Sequence, residues 1–131
     1  MLLVISVAIY MKKILIIEDD DFFRELIRKK LLSNKNFEII EAIDGEKGIE
    51  AMKEKKPDLV LLDLLLPNVD GFEVLSRAKG DSDISKIPII ILSNLGQQED
   101  IEKALKLGAN DYLIKSQFDI NQIVDKIISI V

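Results

Sequence analysis

The chain is 131 residues long, 48% hydrophobic and 31% charged, with no Cys, no His and no Trp. That length suits one domain with a real core. The missing Cys and His exclude disulfides, thiolate zinc sites, iron–sulfur clusters, imidazole-ligated metals, Cys nucleophiles and Ser–His–Asp triads. With 18 basic against 23 acidic residues and a net charge of −5, nonspecific nucleic-acid binding is disfavoured and a hard cation is the more natural guest.

Residues 1–10 (MLLVISVAIY) are apolar at nine positions of ten and carry no charge. Ten residues fall short of the roughly 20 that cross a bilayer as a helix. Lys12 and Lys13 follow the apolar run, whereas a secretory signal places its basic residues first. The segment reads as a start-site or cloning artefact ahead of Met11, an added strand or helix, or a tether. We therefore expect an apolar leader over 1–11 and a single domain over 12–131.

From Met11 the pattern alternates between short apolar runs and segments of helical period. Ile14–Ile17 is an apolar run ending in Glu18, Asp19 and Asp20, and Phe22–Leu32 follows at helical spacing. Phe37–Ile40 is the second candidate strand. Asp44 caps a helix over 45–55, which Lys55-Lys56-Pro57 stops. Leu59–Leu62 is the third apolar run and ends at Asp63. Gly71–Lys79 is a helix with Phe72, Leu75 and Ala78 on one face, and Ile89–Leu92 follows Pro88 as the fourth strand. Glu99–Leu107 is the fourth helix, with Ile101, Ala104 and Leu105 inward and Gly108 placed to end it. Tyr112–Ile114 is the fifth strand. Asp119–Ile130 is the last helix, with Ile120, Ile123, Val124 and Ile127 inward.

Five strand–helix units in succession imply a parallel sheet covered on both faces. The strands are continuously apolar rather than alternating, as strands buried on both sides are. Right-handed crossovers then favour a doubly wound α/β sheet. Ligands of such sheets bind beyond the carboxyl ends of the strands. The polar residues there are Glu18 and Asp19 after the first run, Asp63 after the third, Ser93 after the fourth and Lys115 after the fifth. Three clustered carboxylates need a countercharge, and oxygen-only ligation suits Mg²⁺. Each residue alone has a plainer explanation. Asp19 to Asp21 serve equally as helix caps, Asp63 as a turn residue, and Lys115 as a solvated surface charge. Their joint occurrence at four strand ends points to one shared site.

Residues 12–130 resemble the receiver domain of two-component response regulators. The resemblance is carried by KKILIIEDD, PDLVLLDLLLPNVDGFEVL, PIIILSN and GANDYLIK, with Ser93 and Lys115 lying 30 and 52 residues beyond Asp63. It implies a flavodoxin-like five-stranded parallel sheet in the order 2-1-3-4-5. It further implies that Asp63 is the phosphoacceptor, with Glu18, Asp19, Asp63 and the backbone carbonyl of Leu65 at a Mg²⁺ ion. Ser93 would be the phosphoryl-binding hydroxyl, Lys115 the family's lysine and Tyr112 the aromatic switch residue. The implied donor is a phosphohistidine on a histidine kinase or phosphotransfer protein. The output would be a downstream protein at the face of the fourth helix, fifth strand and fifth helix. Such a chain catalyses only its own phosphorylation and autodephosphorylation, in the cytoplasm, as a monomer or weak dimer, without nucleic acid or membrane insertion.

Three positions depart from the commonest family pattern. Asn94 follows Ser93 where a small residue is usual. Ser116 follows Lys115 where Pro in a cis bond is usual, and a non-Pro cis peptide costs about 3 kcal/mol, so a trans bond is expected. Leu65 and Leu95, two residues beyond Asp63 and Ser93, occupy positions that flank the path of attacking water in this family, which predicts slow autodephosphorylation. The chain stops about where the fifth helix ends, so the expectation is a stand-alone regulator of the chemotaxis type. A pseudo-receiver scaffold that is never phosphorylated is the alternative, although it needs no such complete set of site residues. A phosphohydrolase or nucleotide enzyme fits less well, because GxGxxG, the P-loop pattern and an Asp-x-Asp pair at Asp63 are all absent.

Overall fold

A computed structural model describes residues 11–34 and 36–131. The leader over 1–10 therefore lies outside the described residues. In chain order the elements are β1 (Lys12–Ile17), α1 (Asp21–Ser33), β2 (Phe37–Ala42), α2 (Gly45–Lys55), β3 (Leu59–Leu62), α3 (Gly71–Gly80), β4 (Ile89–Ser93), α4 (Gln98–Lys106), β5 (Asp111–Ile114) and α5 (Ile120–Ile130). A 3-10 turn at Lys115–Gln117 joins β5 to α5. The five strands are parallel in the order β2-β1-β3-β4-β5, as expected.

The apolar runs are explained by two cores, one on each face of the sheet. Successive strand residues point to opposite faces. Leu15, Ile17, Val60, Leu62, Ile89 and Ile91 face one way and pack on Met52, Val74, Leu75, Ala78 and Ala104 of α2, α3 and α4. Ile14, Ile16, Leu59, Leu61, Ile90 and Leu92 face the other way and pack on Ile27, Leu31, Ile123, Val124 and Ile127 of α1 and α5. Each such buried aliphatic side chain contributes roughly 1.5–3 kcal/mol. An alternating polar strand in the centre of this sheet would lose half of that.

Helix starts follow the sequence closely. Asp44, Asp70 and Asp119 each accept a backbone N–H of the first turn of α2, α3 and α5, and Gln122 completes a capping box with Asp119. Gly108 follows α4 with φ 109°, a conformation that L side chains rarely adopt. Two details differ from expectation. Leu105 is 47% exposed rather than inward. The helix docks through Ala104, with Ile101 partly buried and Leu105 exposed, beside β5 at the sheet edge. In addition, the connection from α3 to β4 carries a buried anchor, Ile84, that no periodicity revealed.

The register positions the strand ends. Ile17 pairs with Leu62, Leu62 with Ile91, and Ser93 with Ile114. The residues just past β1, β3 and β5 therefore emerge along one edge. The chain runs from β1 outward to β2, then returns to the other side of β1 to form β3. The crevice above β1 and β3 is the topological switch point, where doubly wound sheets bind ligands.

Candidate functional site

Glu18 and Asp63 extend β1 and β3 side by side at this crevice. The Asp63 amide donates to the Ile17 carbonyl at 3.1 Å, and the Glu18 amide to Ala42 at 3.0 Å. Both carboxylates are buried, at 3% and 5% exposure. Lys115, arriving from the end of β5, places its ammonium 3.0 Å from Asp63 Oδ2 and in hydrogen-bond contact with Glu18 Oε1. The other Asp63 oxygen, Oδ1, accepts the Leu65 amide at 3.1 Å. The other Glu18 oxygen accepts the Asp20 amide at 3.1 Å. Every carboxylate oxygen of the buried pair thus has a fixed partner.

Asp19 stands exposed beside them. One carboxylate oxygen from each of Glu18, Asp19 and Asp63 lies within 4.8 Å of the others. A single ammonium does not neutralise three carboxylates, and the imbalance is visible in Glu18. Burial is the main cause that pushes its pKa up to about 7; the charge of Asp63 adds to this, against the hydrogen bonds from Lys115 and the Asp20 amide. Burial alone would lower the pKa of Lys115, but its bonds to Glu18 and Asp63 outweigh burial and raise it, so the proton stays on the lysine. This all-oxygen donor set fits a hard divalent cation such as Mg²⁺.

The acidic run after β1 divides its work. Asp20 is the cap of α1, accepting from Phe22 N at 3.0 Å and Phe23 N at 3.2 Å, which leaves Asp19 free for the crevice. Arg24, one turn along, donates to the Glu18 carbonyl at 2.8 Å and to Asp21 at 2.7 Å. Residue patterns did not single out Arg24 or Phe23, because the amphipathic period of α1 accounts for both without a site.

Ser93 and Tyr112 belong to the same edge but form no hydrogen bond with the carboxylates. Ser93 is fully buried at the end of β4. Its hydroxyl oxygen accepts the Leu95 amide at 3.4 Å, and the Tyr112 hydroxyl donates to the Leu95 carbonyl at 2.5 Å. The two side chains are thereby joined through one residue of the β4–α4 loop. Burial, with Asp100 and Asp63 adding, pushes the Tyr112 pKa up to about 12. No described peptide bond is cis, so Lys115–Ser116 is trans as expected.

The sequence matches the response regulator receiver domain family over residues 14–128. The chain belongs to that family. Receiver domains are the phosphorylation-dependent signalling modules of two-component systems. Over 117 residues the chain is 38% identical to the DNA-binding dual master transcriptional regulator RpaA of Synechocystis, a match covering 89% of this chain and 48% of that protein. Over 105 residues it is 38% identical to the chemotaxis protein CheY of Halobacterium salinarum, covering 79% of this chain and 84% of that one. The chain thus spans about half the length of the transcriptional regulators it matches. Among solved structures, the Mn²⁺-bound form of response regulator Rcp1 superposes with a TM-score of 0.81 at 31% identity, covering 90% and 92% of the two chains. Among the described residues no helix is long and apolar enough to cross a membrane.

Proposed function

We propose that this receiver accepts a phosphoryl group on Asp63 and signals through the resulting change at its surface. The observation that carries the reading is the buried Asp63 carboxylate at the switch point, 3.0 Å from the Lys115 ammonium and grouped with Glu18 and Asp19. An Asp63 oxygen attacks phosphorus, the P–N bond of a donor phosphohistidine breaks, and the imidazole leaves with the bonding pair. With acetyl phosphate the P–O bond breaks instead, and acetate leaves. Such transfer depends on positioning and charge neutralisation more than on a strong nucleophile. Glu18, Asp19, Asp63 and the Leu65 carbonyl would hold Mg²⁺, which when bound neutralises charge on the transferring oxygens. The similarity to the Mn²⁺-bound Rcp1 supports a divalent cation here.

Lys115 neutralises the remaining side of the phosphoryl group. Ser93 binds one of its oxygens by turning its hydroxyl away from the Leu95 amide, and Tyr112 follows through its bond to the Leu95 carbonyl. The change is read out on the face of α4, β5 and α5 by a partner protein. The donor is a histidine kinase or phosphotransfer protein. The receiver comprises residues 12–131, works in the cytoplasm and acts without contacting nucleic acid; its similarity to a chemotaxis CheY supports output by protein contact.

The test is incubation with Mg²⁺ and acetyl phosphate followed by intact-mass measurement, with Asp63→Asn as control. A gain of one phosphoryl group in the wild type alone is expected. An unchanged wild-type mass overturns the reading and leaves the scaffold alternative.

A further inference from the structure

The Lys115 ammonium has a third neighbour that phosphoryl transfer as described leaves unused. Its Nζ lies 4.4 Å from the centroid of the Phe23 ring. Phe23 reaches this position because Asp20 fixes the first turn of α1. Its neighbour Phe22 points away and is 74% exposed, whereas Phe23 is half-buried. The Phe23 side chain packs against the core cluster that includes Ile16, Ile27, Leu61 and Leu92, and it lines a small cavity together with Glu18 and Asp63.

We propose that Phe23 is a positioning residue for phosphoryl transfer, its ring face holding the Lys115 ammonium beside Asp63 throughout the reaction. The inference rests on the phosphoacceptor reading of Asp63. A lysine ammonium is a compact charge on a flexible four-carbon stem, so its placement needs several partners. The two charged partners of Lys115 are the groups the chemistry occupies. Glu18 belongs to the cation site, and Asp63 gives up its carboxylate charge when its oxygen becomes bonded to phosphorus. An aromatic face neither takes up a proton nor coordinates a hard cation, so its attraction for the ammonium persists through every stage. Lys115 has only 11% of its side chain exposed, and cation–π attraction is strongest where the cation is partly desolvated.

Pure space filling by Phe23 has a different consequence, because it depends on ring shape and not on ring electrostatics. The full chain is therefore prepared with Phe23 replaced by a series of ring-fluorinated phenylalanines, which drain the negative potential of the face while nearly preserving its shape. Asp63 phosphorylation by acetyl phosphate and Mg²⁺ is followed by intact mass, and the Lys115 Cε and Hε shifts by NMR. The expected result is a steady fall in rate with each added fluorine. The total loss should be on the order of tenfold for the fully substituted ring. Phe23→Trp should retain the rate, and the Lys115 signals should move in step with the series. A flat rate across the series, even with Phe23→Leu impaired, overturns the inference and leaves the phosphoacceptor reading intact. A wild type that gains no phosphoryl group overturns both.

Discussion

Leu65 and Leu95 follow Asp63 and Ser93 by two residues, and neither side chain carries an atom that can hydrogen-bond a water molecule. Leu65 is 52% exposed, while its own amide donates to Asp63 Oδ1 at 3.1 Å. The side chain thus sits at the solvent boundary of the carboxylate that would carry phosphorus. Attack by water on an aspartyl phosphate needs an ordered nucleophile, and an apolar rim supplies no hydrogen bond to order one. Replacing Leu65 with Asn introduces an amide at that position. The expected outcome is a phosphoryl lifetime about tenfold shorter than that of the wild type, measured by the decay of the intact-mass adduct after donor removal. A wild-type lifetime equal to or shorter than that of Leu65→Asn would show that the leucine does not limit access.

At the scale of elements, the β3–α3 connection determines where Asp63 and the Leu65 carbonyl lie. It is pinned at its far end by the start of α3, where the Gly71 amide donates to the Leu64 carbonyl at 3.0 Å. A Cβ at Gly71 would come within 2.4 Å of Leu64 Cα and 2.5 Å of the Asp63 carbonyl oxygen. Both are backbone atoms and cannot rotate aside, so α3 approaches the Asp63–Leu64 segment only without a side chain there. Gly71→Ala is expected to destabilise the domain by about 3 kcal/mol, the upper end for overpacking, seen as a lower urea midpoint at constant slope. Phosphorylation should slow as well, because the shift falls on the residues that flank Asp63. An unchanged midpoint would mean that α3 moves away freely and does not hold the loop.

At the scale of the whole molecule, the acidic crevice couples stability to pH and to divalent cation. Burial raises the Glu18 pKa from an ordinary 4.5 to about 7 in the metal-free protein. Between those values the folded chain keeps a proton that the unfolded chain has lost. The stabilisation from this group is complete below the unfolded value and disappears as pH rises through the folded one. Metal-free protein should therefore lose thermal stability as pH climbs from 4.5 to about 7, and Glu18→Gln should flatten that slope. Mg²⁺ held as proposed by the ionised carboxylates of the folded state should raise Tm most at the alkaline end. At a concentration of 100 times Kd the gain is about 2.7 kcal/mol. Equal Mg²⁺ stabilisation of wild type and Asp63→Asn across the pH range would place the cation elsewhere.

Much of this architecture was legible in residue patterns because the relevant information is local. Four-residue apolar runs between helix-period segments identify buried parallel strands wherever they occur. The polar residue ending each run must then appear at the carboxyl edge of the sheet. Glu18, Asp63, Ser93 and Lys115 are legible at those strand ends, and the cap at Asp44 follows from its immediate neighbours, whereas Asp119 reads as the first residue of the last helix and is its cap. Other features depend on distances between segments far apart in the chain. Which acid of Asp19 to Asp21 caps α1 depended on how the helix docks, and Asp20 takes that role. Leu105 faced outward because α4 settles on its small Ala104 at the sheet edge. Ser93 and Tyr112 met through Leu95, a coupling that no spacing reveals. The Phe23 ring lies under Lys115 because α1 and β5 are held to one sheet by a register that brings residues 23 and 115 together. Local periodicity specifies each element and the face it buries, whereas hydrogen-bonded register and helix docking set the distances between side chains. The acidic charge balance is compositional, but the meeting of Glu18, Asp19 and Asp63 in one crevice is a property of the fold.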